Sequence, residues 1–287
     1  MEELTYSIAN HTLTLLGEGV KNAMSQLYGF DVFLCTPSQK EWTILFNKPK
    51  QTIDFKTLTT FSFENVNCAL GKKSDTAYIF SMQNRNSDRP SLQLEYTLGE
   101  DIMRCSGFGE PIMLRFALWT AFNLFAIPHN LFAIHSSTIV YNKKANLFLG
   151  ESGTGKSTHT RLWLKNFPQA RLLNDDSPIV AIENEEVMVY GSPWSGKTHC
   201  YHNVGFPVNS FVRLQQAPEN SITKLNPVQA FMALQPACPP ALSKDEYYSE
   251  KIVEILNQII QKISIFKLGC LPNDEAAILS RNTLYNN

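Results

Sequence analysis

This sequence predicts an α/β fold in two parts: a β-rich or mixed α+β domain over residues 1–108, then a phosphate-loop domain over residues 109–287. Three observations predict it. Gly150-Glu151-Ser152-Gly153-Thr154-Gly155-Lys156-Ser157 is a complete G-x-x-x-x-G-K-S motif. Before it stands the apolar Leu147-Phe148-Leu149, which reads as a strand, and after it Leu162, Trp163 and Phe167 mark one face of a helix. The first 108 residues instead alternate short aromatic and β-branched segments with turn-forming clusters, the pattern of successive strands.

In the first part, Leu13 to Leu16, Asp31 to Cys35, Trp42 to Phe46, Thr57 to Phe63, Ala77 to Met82 and Leu92 to Leu98 read as strands. Turn clusters at Thr36-Pro37-Ser38, Asn47-Lys48-Pro49 and Asn84 to Pro90 separate them, and Lys21 to Tyr28 reads as a short helix. No catalytic motif lies here. Pro111 to Asn130 is apolar nearly all round, which predicts a buried helix opening the second part. Leu131 to Tyr141 reads as a strand and Asn142 to Ala145 as a turn, so a hairpin leads into the glycine loop.

After the loop helix, Arg171 to Ile182 offers a strand, the pair Asp175-Asp176, and another strand. Glu183 to Glu186 is a turn, and Val187 to Tyr190 and Val208 to Gln215 are strands. Pro227 to Leu234 and Asp245 to Ile263 are helices; the latter carries Ile252, Ile255, Leu256, Ile259, Ile260 and Ile263 on one stripe. Ser264 to Leu271 is a late strand, and Asn273 to Leu284 a closing helix capped by Asn273 or Asp274.

Composition excludes some classes. With 287 residues, 44% hydrophobic and 18% charged, the chain can bury a substantial core and is not a disordered one. A net charge of −1 argues against a strongly electrostatic nucleic-acid binder. The acidic start MEELTYSIAN lacks the basic region of an export signal, and no stretch approaches the length of a membrane span. Six cysteines, none in a C-x-x-C pair, indicate neither zinc nor a disulfide framework. A cytoplasmic protein with reduced thiols is expected, with no membrane or nucleic-acid partner; homo-oligomer formation is left open.

The loop carries the chemistry. Glycines let backbone N–H groups turn inward, and the helix N-terminus adds partial positive charge, so Gly150 to Thr158 would cradle the phosphates of ATP. Lys156 would reach the β- and γ-phosphates and the Ser157 hydroxyl would ligate Mg²⁺. Phosphoryl transfer also needs a carboxylate that orients or deprotonates the attacking hydroxyl. Asp175 and Asp176 divide those tasks, one toward the metal and one toward the substrate proton; an acid capping the turn before Ser177-Pro178 is the structural alternative. Arg161 and Arg213 are candidates to neutralise phosphate. A second match, Gly191-Ser192-Pro193-Trp194-Ser195-Gly196-Lys197-Thr198, is rejected as a cradle: Pro193 has no N–H, and Gly205 and Pro207 stand where a helix should run. It reads as an ordered loop that brings Lys197 to a substrate or phosphate. His199 and His202 lack the companions of a metal site.

His135 on the hairpin, the Gly150 to Ser157 loop and Leu173-Asn174-Asp175-Asp176 together resemble the catalytic domain of the HPr kinase/phosphorylase family. The Gly191 to Lys197 stretch looks more like that family's divergent members, including kinases of serine on small peptides. Phe266-Lys267-Leu268 and Asp274-Glu275-Ala276 extend the likeness, which covers none of the first 108 residues. The resemblance implies a P-loop kinase domain sharing its core with phosphoenolpyruvate carboxykinases, using ATP and a divalent metal. It implies Asp176 as base, Asp175 with Ser157 on the metal side, and His135 beside the phosphates. The family's glutamate-containing signature after the acid pair is replaced here by Tyr190 to Trp194, a departure that bears on the acceptor and the assembly.

The expected activity is therefore transfer of a phosphoryl group from ATP to a hydroxyl of a peptide, protein or small molecule. A nucleotide-binding regulatory module and a carboxykinase-like lyase are the alternatives.

Overall fold

The computed structural model describes residues 1–36, 39–47, 53–87, 91–196 and 198–285. The expected turns at Pro37-Ser38, Lys48-Pro49 and residues 88–90, and Lys197, lie outside the described residues. The chain is mixed α/β and divides into two compact units, Met1–His129 with Ala241–Tyr248, and Asn130–Pro240 with Ser249–Asn287.

The first unit is built on an eight-stranded sheet among the described residues. Its strands are β1 (Glu2–Ile8), β2 (His11–Gly17), β3 (Trp42–Asn47), β4 (Lys56–Phe63), β5 (Val66–Lys72), β6 (Ala77–Asn84), β7 (Leu92–Thr97) and β8 (Ile102–Ser106). Their order is β1-β2-β3-β8-β7-β6-β5-β4, with β2–β3 and β3–β8 parallel and the other neighbours antiparallel. Three of these strands, β1, β5 and β8, were not expected. Lys21 to Tyr28 shortens to helix α1 (Val20–Met24).

Two expectations are corrected in this unit. Asp31 to Cys35 is not a strand: Asp31–Phe33 is a 3₁₀ turn. Phe33 alone is buried there, while Val32 and Leu34 are 45% and 49% exposed, so the run anchors a turn and has no face to lay on a sheet. The apolar helix α2 (Pro111–Ala126) clusters with this unit instead of opening the second. The reason is aromatic packing: Phe122 and Phe125 meet Trp42, Phe125 meets Tyr96, and Phe116 meets Phe61, Phe63 and Phe80.

With its following turn, the helix spans Pro111–His129, 19 residues with a mean hydropathy of 1.3, long and apolar enough to cross a membrane by length and composition. That overturns the reading that no stretch approaches such a length. Buried over 67% of that window, it spends its apolarity on the core of the unit.

The second unit carries β9 (Leu131–Ala133), β10 (Ser136–Tyr141), β11 (Lys144–Leu149), helix α3 (Lys156–Asn166), β12 (Arg171–Asp176), β13 (Ile179–Glu183), β14 (Glu186–Tyr190), β15 (Gly205–Gln216), β16 (Ser221–Lys224) and helix α4 (Pro227–Leu234). Helix α5 (Glu246–Lys262), whose first turn clusters with the first unit, leads to β17 (Ser264–Cys270) and helix α6 (Asp274–Tyr285). Strand order is β12-β10-β11-β15-β14-β13-β9, with β17 on β15 and β16 on β17. The β10–β11 hairpin turns through Asn142 and Lys143, both at positive φ. Strands β11, β15 and β17 run parallel, and their core side chains (Phe148, Val212, Phe266) pack with Trp163 of α3 and Ala277 of α6. The α6 cap is Asn273, whose Oδ1 accepts from the Ala276 N–H at 3.1 Å.

The expected strand Leu131 to Tyr141 is broken at Ile134-His135. The chain changes neighbours there: β9 pairs with β13, and β10 pairs with β11 and β12. Ile134 N–H donates to Pro178 O (2.9 Å) and His135 N–H to Ala237 O (2.8 Å), which holds the crossing. His135 therefore sits in a gap between strands instead of on one.

Candidate functional site

The site is assembled on β10. Its residue Ser136 is opposite Leu149 on one side and Asp176 on the other; Ser137 is likewise flanked by Phe148 and Asp175. One central strand thus brings the end of the loop strand and the acid pair side by side. Gly150 follows at a close approach, where a Cβ would meet the Thr154 side chain. Gly153 and Gly155 adopt φ of 82° and 101°, and Gly155 starts α3. The loop closes on itself through Thr154, whose N–H and hydroxyl both donate to Glu151 O (3.2 and 2.9 Å). Among the described residues, the amides of Gly153, Gly155, Lys156 and Ser157 have no acceptor. Such amides at a helix N-terminus form an anion-binding concavity.

Around that concavity stand the side chains that would do chemistry. Lys156 Nζ donates to Gly150 O (2.8 Å) and Glu151 O (3.3 Å), which folds the ammonium across the loop. Ser157 Oγ donates to Asp175 Oδ1 at 3.0 Å. His135 Nε2 lies 3.6 Å from Asp176 Oδ1. Arg213 on β15 pairs with Glu151 at 3.0 Å. Arg161 on α3 is held by Ser157 O through its Nε at 3.0 Å. A cavity of about 370 Å³ is lined by His135, Lys156, Ser157, Arg161, Asp175 and Asp176 together with loop residues and Gly196.

What holds the acids in place is the rejected second glycine motif. Gly196 N–H donates to Asp175 O at 2.7 Å, and Asp176 bridges Ser195. Buried Asn174 donates to Ser192 O and Trp194 O, both at 3.3 Å, and its Oδ1 accepts from Ser177 N–H at 2.9 Å. The stretch Ser192 to Gly196 is thus a clamp on the end of β12. Residue reading found the loop as an ordered one, but its link to the acids had no sequence signal beyond the repeated motif. Asp176 itself takes φ 153°, outside the usual regions for an L-residue.

Electrostatics differ by position. Burial lowers the Lys156 pKa, against the pull of Asp176 and Asp175. Burial likewise lowers that of His135, with Lys156 adding to the fall and Asp176 opposing it. The Asp176 carboxyl is pushed up by burial, a shift that His135 and Lys156 oppose. A neutral imidazole beside a carboxylate of raised basicity can accept or relay one proton. Asp175, 5% exposed, spends its Oδ1 on Ser157. These two oxygens are the hard donors a divalent cation prefers. Among the described residues no three His, Cys, Asp or Glu side chains converge on a metal position, so a cation here would need further oxygens from its ligand.

The remaining candidates fall elsewhere. His199 packs edge-on against Tyr201, and neither it nor His202 lines the cavity. All six cysteines are free, four of them buried. A second, larger cavity of about 640 Å³ adjoins the first, sharing Gly153, Gly155 and Thr158 as walls. His159 lines it, with Nε2 within hydrogen-bond distance of Trp163 Nε1 and Ser280 Oγ (both 3.2 Å). Its buried Nδ1 has no partner among the described residues, a deficit of about 1–3 kcal/mol until something supplies one.

No family model matches this chain, and no curated protein matches it. Among solved structures, the HPr(Ser) kinase/phosphatase from Coxiella burnetii overlaps it at 13% identity and a TM-score of 0.33, covering 54% of this chain and 88% of that one. Overlap at that level is a distant likeness and carries no argument about this chain.

Proposed function

We propose that this chain is a kinase that transfers a phosphoryl group from ATP, with Mg²⁺, to a hydroxyl of a peptide, protein or small molecule. One observation carries the reading: open loop amides, Lys156, the Ser157–Asp175 pair and the Asp176–His135 pair face a single cavity. A merely structural glycine turn has no need of two acids and a lysine converging on it. The motif resemblance to the HPr kinase family points the same way.

In this reading the amides of Gly153, Gly155, Lys156 and Ser157 and the Lys156 ammonium hold the β- and γ-phosphates and neutralise charge that builds up during transfer. Mg²⁺, when bound, would draw charge from the phosphate oxygens. Ser157 and Asp175 would hold it. Asp176 accepts the proton of the attacking hydroxyl, its raised pKa matching it to that task. His135 orients Asp176 and stays uncharged at neutral pH, since burial lowers its pKa. Transfer proceeds in line: the acceptor oxygen bonds to the γ-phosphorus as the β–γ bridging bond breaks, leaving ADP.

The test is Lys156→Ala with ATP and Mg²⁺. ATP turnover in the presence of an acceptor library should fall by about 10²-fold or more, with weakened nucleotide binding. Unchanged binding and turnover would end the proposal.

A further inference from the structure

The second glycine motif holds no phosphate, yet both of its glycines sit at close approaches. Gly191 donates its N–H to Val204 O at 3.1 Å, and a Cβ there would overlap the His202 backbone. A Cβ on Gly196 would lie 3.0 Å from Asp175 O and 3.3 Å from Asp176 Cβ. The stretch is therefore moulded on the acid pair. Its second glycine leaves room for the Asp176 side chain, and both residues line the phosphate cavity.

Asp176 needs such a mould. At φ 153° its backbone lies outside the usual regions for an L-residue, and it relaxes unless its surroundings over-determine it. Ser192, fully buried, donates its hydroxyl to Ser177 O at 2.6 Å and accepts from the Trp194 N–H at 3.2 Å. Asn174, equally buried, accepts from the Ser177 N–H and donates to Ser192 O and Trp194 O. Gly196 N–H closes on Asp175 O at 2.7 Å. Main-chain groups on both sides of Asp176 are thus tied down, while its carboxylate keeps only the weak contacts to His135 (3.6 Å) and Ser177 Oγ (3.4 Å).

The same turn sets the place of His135. Pro178 O accepts from the Ile134 N–H at 2.9 Å, one residue from His135 and two from Asp176. Main chain, and not their own long contact, fixes the spacing of imidazole and carboxylate. Asp175 keeps a separate anchor in Ser157 Oγ at 3.0 Å, so loosening the loop releases Asp176 first.

We propose that Ser192 and Gly196 are positioning residues for the base: they hold Asp176 in its strained backbone and aim its carboxylate at the acceptor hydroxyl. The proposal rests on the kinase reading and adds that transfer depends on a loop outside the phosphate cradle.

The test is a double-mutant cycle. Ser192→Ala removes the hydroxyl at the centre of the clamp, whereas Gly196→Ala breaks no hydrogen bond and presses a methyl group on Asp176. Each is made in the wild-type chain and in Asp176→Asn. Transfer from radiolabelled ATP with Mg²⁺ to a mixed library of serine peptides and small alcohols is measured per folded molecule. In the wild-type background each substitution should lower kcat about tenfold, with ATP affinity by calorimetry within about twofold, because a misaimed group costs rate and not nucleotide binding. In the Asp176→Asn background each should cost less than about twofold, because the residue through which they act no longer takes the proton. A residue that merely supports the fold would cost the same factor in both backgrounds. Should Ser192→Ala not fold, Gly196→Ala carries the cycle. Unchanged kcat in the folded variants, a loss of ATP affinity as large as the loss of kcat, or a full tenfold loss on top of Asp176→Asn overturns the positioning role and leaves the kinase reading standing. A wild-type chain that transfers nothing to the library ends both.

Discussion

Asp245 in the first unit and Asp176 in the second are acids with opposite surroundings. Asp245 is 2% exposed and saturated: Lys72 Nζ lies at 2.6 Å, Tyr78 hydroxyl donates at 2.8 Å and the Tyr248 N–H at 3.2 Å. Burial and the bond to Asp245 both push the Tyr78 phenol up, so it stays a donor. Asp176 has a side chain 47% exposed, His135 at 3.6 Å and Ser177 Oγ at 3.4 Å, on a backbone at φ 153°. A carboxylate that ties chain segments together takes every donor it can reach. A carboxylate meant to react is fixed through its backbone and left short of donors, at a cost in strain. The contrast separates a structural acid from a candidate catalytic one without reference to any relative.

The largest expected effect tests the catalytic half of the contrast. Asp176→Asn should reduce acceptor phosphorylation by about 10³-fold while nucleotide affinity holds within a few-fold. Its melting temperature should stay level or rise, because an under-bonded acid is removed. A clear loss of stability with turnover retained would put Asp176 in the structural class.

Next comes the structural half. Asp245→Ala strands Lys72 and Tyr78 and should cost about 3 kcal/mol in urea denaturation. Turnover per folded molecule should not change. A selective loss of turnover would erase the distinction between the two acids.

A third, comparable effect lies in His159, whose pKa burial lowers from 6.5 to about 4. The folded state disfavours the proton that the unfolded state binds, so stability is complete above pH 6.5 and is lost as pH falls toward 4. The loss reaches about 3 kcal/mol at the acid end. His159→Phe should flatten stability over that window, read by denaturation at several pH values; an unchanged slope would assign it to other groups.

The smallest effect concerns Arg213. Glu151, with a side chain 75% exposed, holds its guanidinium in an ion pair of the kind worth under about 1 kcal/mol. Glu151→Gln should free Arg213 toward phosphate and tighten triphosphate binding about two- to threefold by calorimetry. Weaker binding would show that Glu151 positions the loop.

How much of this was legible follows from the range of each signal. The loop, its helix and the hairpin before it are local patterns, so Gly150 to Phe167 and β10–β11 stand where periodicity and glycine spacing put them. Strands β1, β5 and β8 escaped because their runs are short and mixed with Glu, Ser, Asn, Arg and Lys, although β1 pairs with its sequence neighbour β2 and β5 with β4 and β6; of the three, only β8 also pairs with a distant strand, β3. The place of α2 was not legible either: an all-round apolar helix says that it is buried, not against what. The break at His135 was hidden because Leu131 to Ile134 and Ile139 to Tyr141 read as the apolar ends of one strand, with His135 to Thr138 as its polar middle.

By itself the sequence determined the glycine loop: three glycines at fixed spacing, then lysine and serine opening a helix, are a backbone requirement written over eight consecutive residues. It also determined that two acids are available. Only the tertiary structure decided that those acids face the loop, because that depends on β12 pairing with the free side of β10, some distance along the chain from the β10–β11 hairpin. The same holds for the clamp from Ser192 to Gly196. Local geometry follows from neighbouring residues, whereas a site built across strands exists only once the sheet has chosen its order.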